Sequence, residues 1–133
     1  MLDTSTVSAP MWKTPNPRVL AQLEAHGAFS AIASPVWHEL IFGCRRLPRG
    51  KRRLALEAYI EDVVRATLPI LPYDDLAAAW HAAERARLEA AGKAAPFVDG
   101  QIAAIAATRE LTLVTANVAD FRRFRGVTVV DWT

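Results

Sequence analysis

The chain has 133 residues, 52% of them hydrophobic and 23% charged, a composition that fits one globular domain with a real core and excludes a disordered chain. Its formal net charge of +2 is modest, so any affinity for a polyanion must come from local clusters of Lys and Arg. No run approaches the roughly 18 apolar residues of a membrane span, and the single cysteine, Cys44, excludes an internal disulfide and a cysteine-based zinc site. The opening residues lack the basic flank and apolar stretch of a signal peptide. Together these features predict a single domain over residues 1–133, located in the cytoplasm.

In chain order, Met1-Leu2-Asp3-Thr4 reads as the end of a short strand. Asn16-Pro17 opens a helix, with Asn as N-cap and Pro in the first turn, and Gly27 stops it. Phe29 to Ala33 reads as a second strand. Ser34-Pro35 repeats the start signal for a helix to about Cys44, apolar nearly all round and so expected to be buried. After the turn Leu47-Pro48-Arg49-Gly50 come a helix over Lys51 to Ala66 and a strand over Leu68 to Leu71. Asp74 caps a long alanine-rich helix that ends before Gly92. A helix over Phe97 to Arg109, a strand over Leu111 to Thr115, a helix capped by Asn117 through Phe124, and a strand over Val127 to Val130 complete the chain. Short strands alternating with helices predict an α/β fold whose parallel sheet is covered on both faces. Such sheets bind ligands at the carboxyl ends of their strands.

Four carboxylates, Asp3, Glu39, Asp99 and Asp120, lie in or beside apolar strands and helices that are expected to bury them. Each has a competing role. Asp3 can close a turn through Thr4 and Ser5, and Glu39 can pair with Arg45 or Arg46. Asp99 sits in a first helical turn, where the dipole favours it, yet its helical neighbours are the apolar Ile102, Ala103 and Ala106. Asp120 stands three residues after Asn117, a capping arrangement. The combination discriminates: crowded carboxylates raise one another's pKa unless a cation neutralises them. Oxygen ligands of this kind suit Mg²⁺ or Mn²⁺, which orient a phosphodiester and activate a water. No serine or cysteine nucleophile with a partner histidine is evident, and His26, His38 and His81 read as surface or core-edge residues. The absence of a glycine-rich phosphate loop argues against a nucleotide-driven enzyme.

Arg45, Arg46, Arg49, Lys51, Arg52 and Arg53 form a basic stretch, and Arg122, Arg123 and Arg125 follow Asp120. Both can bind nucleic-acid phosphates, with a solvated surface as the competing reading. No aromatic residue interleaves either cluster, so base stacking there is not supported. Trp37 reads as core, Trp12 and Trp80 as available to a protein partner, and Trp132 as packing for the C-terminus.

Four segments in this order resemble the PIN-domain ribonucleases, and within them the VapC-type toxins of bacterial toxin–antitoxin pairs. They are Leu2-Asp3-Thr4, Pro35-Val36-Trp37-His38-Glu39-Leu40, Asp99-Gly100-Gln101-Ile102-Ala103-Ala104, and Leu113 through Phe121 with its Thr115-x-Asn117-x-x-Asp120 core. The resemblance covers essentially the whole chain. It implies a PIN-like three-layer sandwich and Mg²⁺-dependent endoribonuclease activity, with Mn²⁺ as a substitute. Asp3 and Asp99 are then metal ligands, supported by Glu39 and Asp120, with Thr4, Thr115 and Asn117 as site support. It further implies an RNA substrate, a cognate antitoxin and a homodimer. A catalytically silent PIN-like binding module and a DNA-directed metal nuclease remain alternatives on the same residues. Three departures stand out. Gly100 replaces the family's usual alanine at some cost in helix propensity, Ser5 stands where asparagine is common, and only two residues precede Asp3 where the family has a longer strand.

Overall fold

The computed structural model describes residues 1–133. Its helices are α1 (Thr4–Val7), α2 (Pro17–His26), α3 (Ser34–Arg45), α4 (Lys51–Tyr59), α5 (Asp75–Ala90), α6 (Phe97–Thr108) and α7 (Val118–Phe121). Its strands are β1 (Ile32–Ala33), β2 (Ile70–Leu71), β3 (Leu113–Val114) and β4 (Val129–Val130). The α/β class and the alternation of short strands with helices are as the sequence predicts. No helix is long and apolar enough to cross a membrane.

The sheet is parallel throughout and unusually narrow. β1 pairs with β2 in the register Ile32 to Ile70, and β3 pairs with β4 in the register Leu113 to Val129. Leu2 joins the two halves through single parallel bridges to Ile32 and Val114. Leu2 N–H donates to Ala31 O at 2.8 Å, Asp3 N–H to Val114 O at 2.9 Å, and Val114 N–H to Met1 O at 2.9 Å. The order is therefore β2, β1, Leu2, β3, β4, with the central position reduced to one bridging residue.

Several boundaries differ from expectation for identifiable reasons. Phe29 is not in β1: Gly27–Phe29 form a 3₁₀ turn, the Ser30 hydroxyl donates to His26 O at 2.8 Å, and Phe29 is 91% exposed. The expected opening strand instead turns at Asp3 straight into α1, whose first N–H its side chain accepts. α4 continues beyond Tyr59 as a π-helical stretch, Ile60–Arg65. α7 is shorter than expected, and the Asn117 side chain makes no capping bond. α3 is buried only along Val36, Leu40 and Cys44, while Phe42 is 52% exposed with the Arg46 guanidinium over its ring. α5 ends as expected at Gly92, whose φ of +68° is the left-handed conformation that a helix stop favours.

The core is one cluster that runs from Leu2, Ile32 and Leu113 in the sheet to Val36 of α3, Ile60 and Val64, and the α6 face. α6 is the most deeply buried helix, with Ala103, Ala104, Ile105 and Ala106 fully enclosed. Its small residues let α5 and α6 approach closely, and its first turn is carried to the carboxyl ends of the strands.

Leu2 is buried at the one position that joins both halves of the sheet. Leu2→Ala is expected to cost about 3 kcal/mol in urea denaturation, since a buried leucine leaves a cavity that the surroundings fill only in part. Leu54→Ala, at a side chain 65% exposed, serves as the control and should change stability by less than about 0.5 kcal/mol.

Candidate active site

Asp3 lies at the carboxyl ends of the central strands, and its charge and that of Asp120 are felt at Asp99. Asp3 leaves the sheet directly after Leu2 and is 5% exposed. Its Oδ1 accepts the Thr4 N–H at 2.8 Å, and its Oδ2 accepts the Thr115 hydroxyl at 2.7 Å. Burial pushes the Asp3 carboxyl up, and the bonds from Thr115 and Thr4 oppose the shift. Thr115, fully buried at the end of β3, also accepts the Asn117 N–H at 3.0 Å. Thr6 adds a bond from its hydroxyl to Val114 O at 3.2 Å. One hydroxyl thus fixes an aspartate 112 residues away and the start of the loop leading to α7.

Asp99 is half-buried in the first turn of α6. Burial raises its pKa most, followed by the charges of Asp3 and Asp120, while Arg123 pulls it down. Asp99 is therefore the carboxylate on which the charges of the other two bear. Asp120 itself is exposed and pairs with Arg123 at 3.3 Å.

Glu39 stands apart from these three. It lies exposed on α3 beside a cleft whose other wall carries Val98 and Gln101 of α6, and it is not among the groups that shift Asp99. The expectation that all four carboxylates are buried thus holds for Asp3, in part for Asp99, and fails for Glu39 and Asp120. Helical position predicted a neighbouring surface, but it could not predict how much of that surface the next element covers.

As the side chains stand, no three His, Cys, Asp or Glu residues close into a ligand cage. The donor set nevertheless fits a hard divalent cation. It is all oxygen, Asp3 and Asp99 are partly or wholly withdrawn from water, and the charges of Asp3 and Asp120 oppose that of Asp99 in the way a cation relieves. Mg²⁺ in particular keeps several waters and takes only one or two carboxylates directly.

A partly buried ion pair that sequence reasoning did not single out supports the outer edge of the site. Glu84 of α5, 9% exposed, accepts Arg87 Nε at 2.6 Å and Nη2 at 2.9 Å, and accepts the Arg125 N–H at 2.6 Å. Arg87 Nη2 also donates to Arg123 O at 2.9 Å. The pair clamps the backbone of residues 123 and 125, and Arg123 donates to both Asp120 and Ala94 O. Hydrogen bonding from Arg87 holds the Glu84 carboxyl below its ordinary range. The spacing of Glu84 and Arg87 was visible as an ordinary helical acid–base pair, like the exposed Arg85–Glu89 pair on the same helix. Only the fold distinguishes the two.

The basic stretch lies at the far end of α3 and the start of α4. Arg45, Arg46, Arg49, Lys51 and Arg52 are exposed. Arg53 is turned inward, bonded to Glu57 at 2.9 Å and to Leu47 O at 3.4 Å. Arg122 is exposed beside the acidic group. His81 is buried at 3% exposure, contrary to its reading as a surface or core-edge residue, and Trp80 packs against Phe124 at 6.3 Å.

With this geometry in place, likeness to known proteins is informative. A family model described as PIN domain matches residues 1–127. Toxin FitB of Neisseria gonorrhoeae is 32% identical over 124 residues, spanning 91% of this chain and 89% of that protein. The tRNA(fMet)-specific endonuclease VapC of Salmonella typhimurium is 31% identical over 133 residues, spanning 99% and 96%. Among solved structures, FitAcB from Neisseria gonorrhoeae superposes with a TM-score of 0.88 at 31% identity, covering 96% of this chain and 94% of that one. DNA-bound VapBC from Salmonella typhimurium superposes with a TM-score of 0.87 at 28% identity, covering 100% and 97%. The chain belongs to the PIN-domain family, among its VapC- and FitB-type toxins.

Proposed function

We propose that this protein is a Mg²⁺-dependent endoribonuclease that hydrolyses RNA phosphodiesters as the toxin of a toxin–antitoxin pair, with Mn²⁺ as an effective substitute. The observation that carries this reading is the buried Asp3 carboxylate, held at the strand ends by the Thr115 hydroxyl and the Thr4 N–H, with its charge felt at Asp99 on α6. Asp3 and Asp99 would hold the cation, with Asp120 and Glu39 completing the site through waters. Such a cation, when bound, orients a phosphodiester and lowers the pKa of an attacking water. The chain's own residues supply the rest. Thr115 and Thr4 hold the Asp3 carboxylate in place. Arg122 and Arg123 bring positive charge to the rim, where a phosphate approaching the carboxylates otherwise meets only repulsion. The exposed Arg45, Arg46, Arg49, Lys51 and Arg52 would bind phosphates farther along the RNA.

A relative named for its action on tRNA(fMet) supports RNA as the substrate class. Relatives solved as the toxin–antitoxin pairs FitAcB and VapBC support a cognate antitoxin. Action on cellular RNA is consistent with a cytoplasmic location. Apolar surface supports a protein partner: a groove of about 520 Å³ between α1, α2 and the end of α4 is lined by Val7, Leu23, Tyr59, Val63 and Leu68. Leu20 at 36% exposure, with half-buried Leu23, Trp37 and Ile41, supports a symmetric homodimer, whereas Ile60 is enclosed in the core and contributes nothing to it.

Asp99→Asn should lower RNA cleavage by about 100-fold or more, because even outer partners of a metal's ligands are worth about 10- to 100-fold. It should leave the metal-free fold at least as stable, since it removes a repelled charge. Cleavage assays and thermal melts in EDTA check both, and undiminished cleavage would place the chemistry elsewhere. Replacing Arg49 and Arg52 by alanine should weaken RNA binding and flatten its salt dependence by about one unit of slope per lost phosphate contact. A filter-binding series in KCl reads that slope. Sedimentation equilibrium at micromolar concentration should give twice the 14.6 kDa mass of the chain without antitoxin.

A further inference from the structure

A cleft of about 300 Å³ opens between α3 and the first turn of α6, at the small end of the range for ligand pockets. Ser34, Pro35, His38 and Glu39 form one side, Val98 and Gln101 the other, and Tyr73 closes it from the segment before α5. Tyr73 is held in position from behind. Its hydroxyl is 2.9 Å from His81 Nδ1, and the two rings meet edge-on with centroids 5.9 Å apart. The His81 ring is buried against Phe97 at 4.9 Å, and it occupies the space directly over Gly100. A Cβ at position 100 would fall 2.0 Å from His81 Nε2, so no alanine fits there while the ring stays. Gly100, a departure from the usual alanine, is thus the condition for His81 to stand behind Tyr73. Burial keeps the His81 imidazole below its ordinary pKa, and burial raises the Tyr73 phenol.

The lining combines apolar faces with hydrogen-bonding groups. Pro35, Val98 and the Tyr73 ring offer apolar faces, while Ser34, His38 and Gln101 offer hydrogen-bonding groups around them. No Lys or Arg lines it, and the Glu39 carboxylate at its border disfavours a phosphate inside. A nucleobase has the matching character, with two apolar faces and a polar edge, and proteins read unpaired RNA bases through such stacking and edge contacts. Val98 and Gln101, which line the cleft, stand within two residues of Asp99 at the start of α6, so the cleft opens on the same end of that helix as the Asp99 carboxylate. We propose that this cleft holds a nucleobase of the RNA next to the cleaved phosphodiester, and that the Gly100–His81–Tyr73 stack forms its specificity-determining wall. The proposal rests on the endoribonuclease reading above and names the part of the substrate that this chain selects.

The test is cleavage of an RNA library randomised around the cut, with Mg²⁺ present, by the parent chain, Tyr73→Ala, Gln101→Ala and Gly100→Ala. The parent should favour particular bases at one position beside the cut. Tyr73→Ala and Gln101→Ala should each reduce that preference by about tenfold, the scale of a lost base-stacking contact, with the loss mostly in KM. Gly100→Ala should act like Tyr73→Ala, because it displaces the ring that supports Tyr73. Gln101 is only partly buried at the rim, so its variant keeps the test independent of any folding defect in the other two. A parent that cleaves RNA without base preference beside the cut would overturn the proposal and leave the nuclease reading standing. Parent-like preference in Tyr73→Ala and Gln101→Ala would do the same. A parent that cleaves no RNA with Mg²⁺ or Mn²⁺ would remove the nuclease reading and this proposal with it.

Discussion

The hydrogen bond from Thr115 to Asp3 is the constraint around which the site is arranged. It exists because the sheet places residue 2 between β1 and β3, so that the two chain segments leave the sheet side by side. Burying a carboxylate is costly unless its oxygens find donors. Asp3 meets that condition with one backbone N–H and one hydroxyl. The same geometry turns the chain into α1 immediately after Asp3, and it holds the Thr115 to Asn117 loop that leads to Asp120. Loss of the central pairing would therefore release the aspartate and its partner loop together.

Around that fixed aspartate the protein tolerates repulsion. Asp99 sits where burial and two like charges oppose its ionisation, and only Arg123 among the nearby cations offsets them. Arg123 does not find its place by itself. Its backbone is held by Arg87, which is itself held by Glu84, and Glu84 also takes the Arg125 N–H. The acidic site is thereby braced from α5, a helix that carries none of Asp3, Asp99 and Asp120. Buried polar networks of this kind matter because each partner left unpaired would carry its own desolvation penalty. Gly100 adds a second brace from α5, since the absence of a Cβ admits His81 and so positions Tyr73 at the edge of the cleft beside Glu39.

Much of this was legible in the chain. Asn16-Pro17, Asp74 and Gly92 mark helix ends that the structure keeps, because caps and glycine stops are decided by neighbours in sequence. Asp3, Glu39, Asp99 and Asp120 were legible as a set; the charges of Asp3 and Asp120 are felt at Asp99, while Glu39 lies exposed on α3 outside that group. Other readings failed where a distant element decides. Phe42 looked buried but no helix covers it, and Arg53 looked free but turns to Glu57. Asn117 looked like a side-chain cap, yet it bonds through its backbone N–H to Thr115.

The sequence by itself determined the class of fold, the order of its elements, the family, and which acidic residues are candidates for the site. Those follow from local periodicity, capping and motif order, which need no knowledge of what packs on what. Tertiary structure alone decided how deeply each carboxylate is buried, which arginine faces the site, and that a partly buried Glu84–Arg87 pair and a glycine-dependent His81–Tyr73 contact brace it. Burial and charge coupling depend on through-space distance, and residues such as Asp3 and Thr115, 112 positions apart, become neighbours only when the sheet forms.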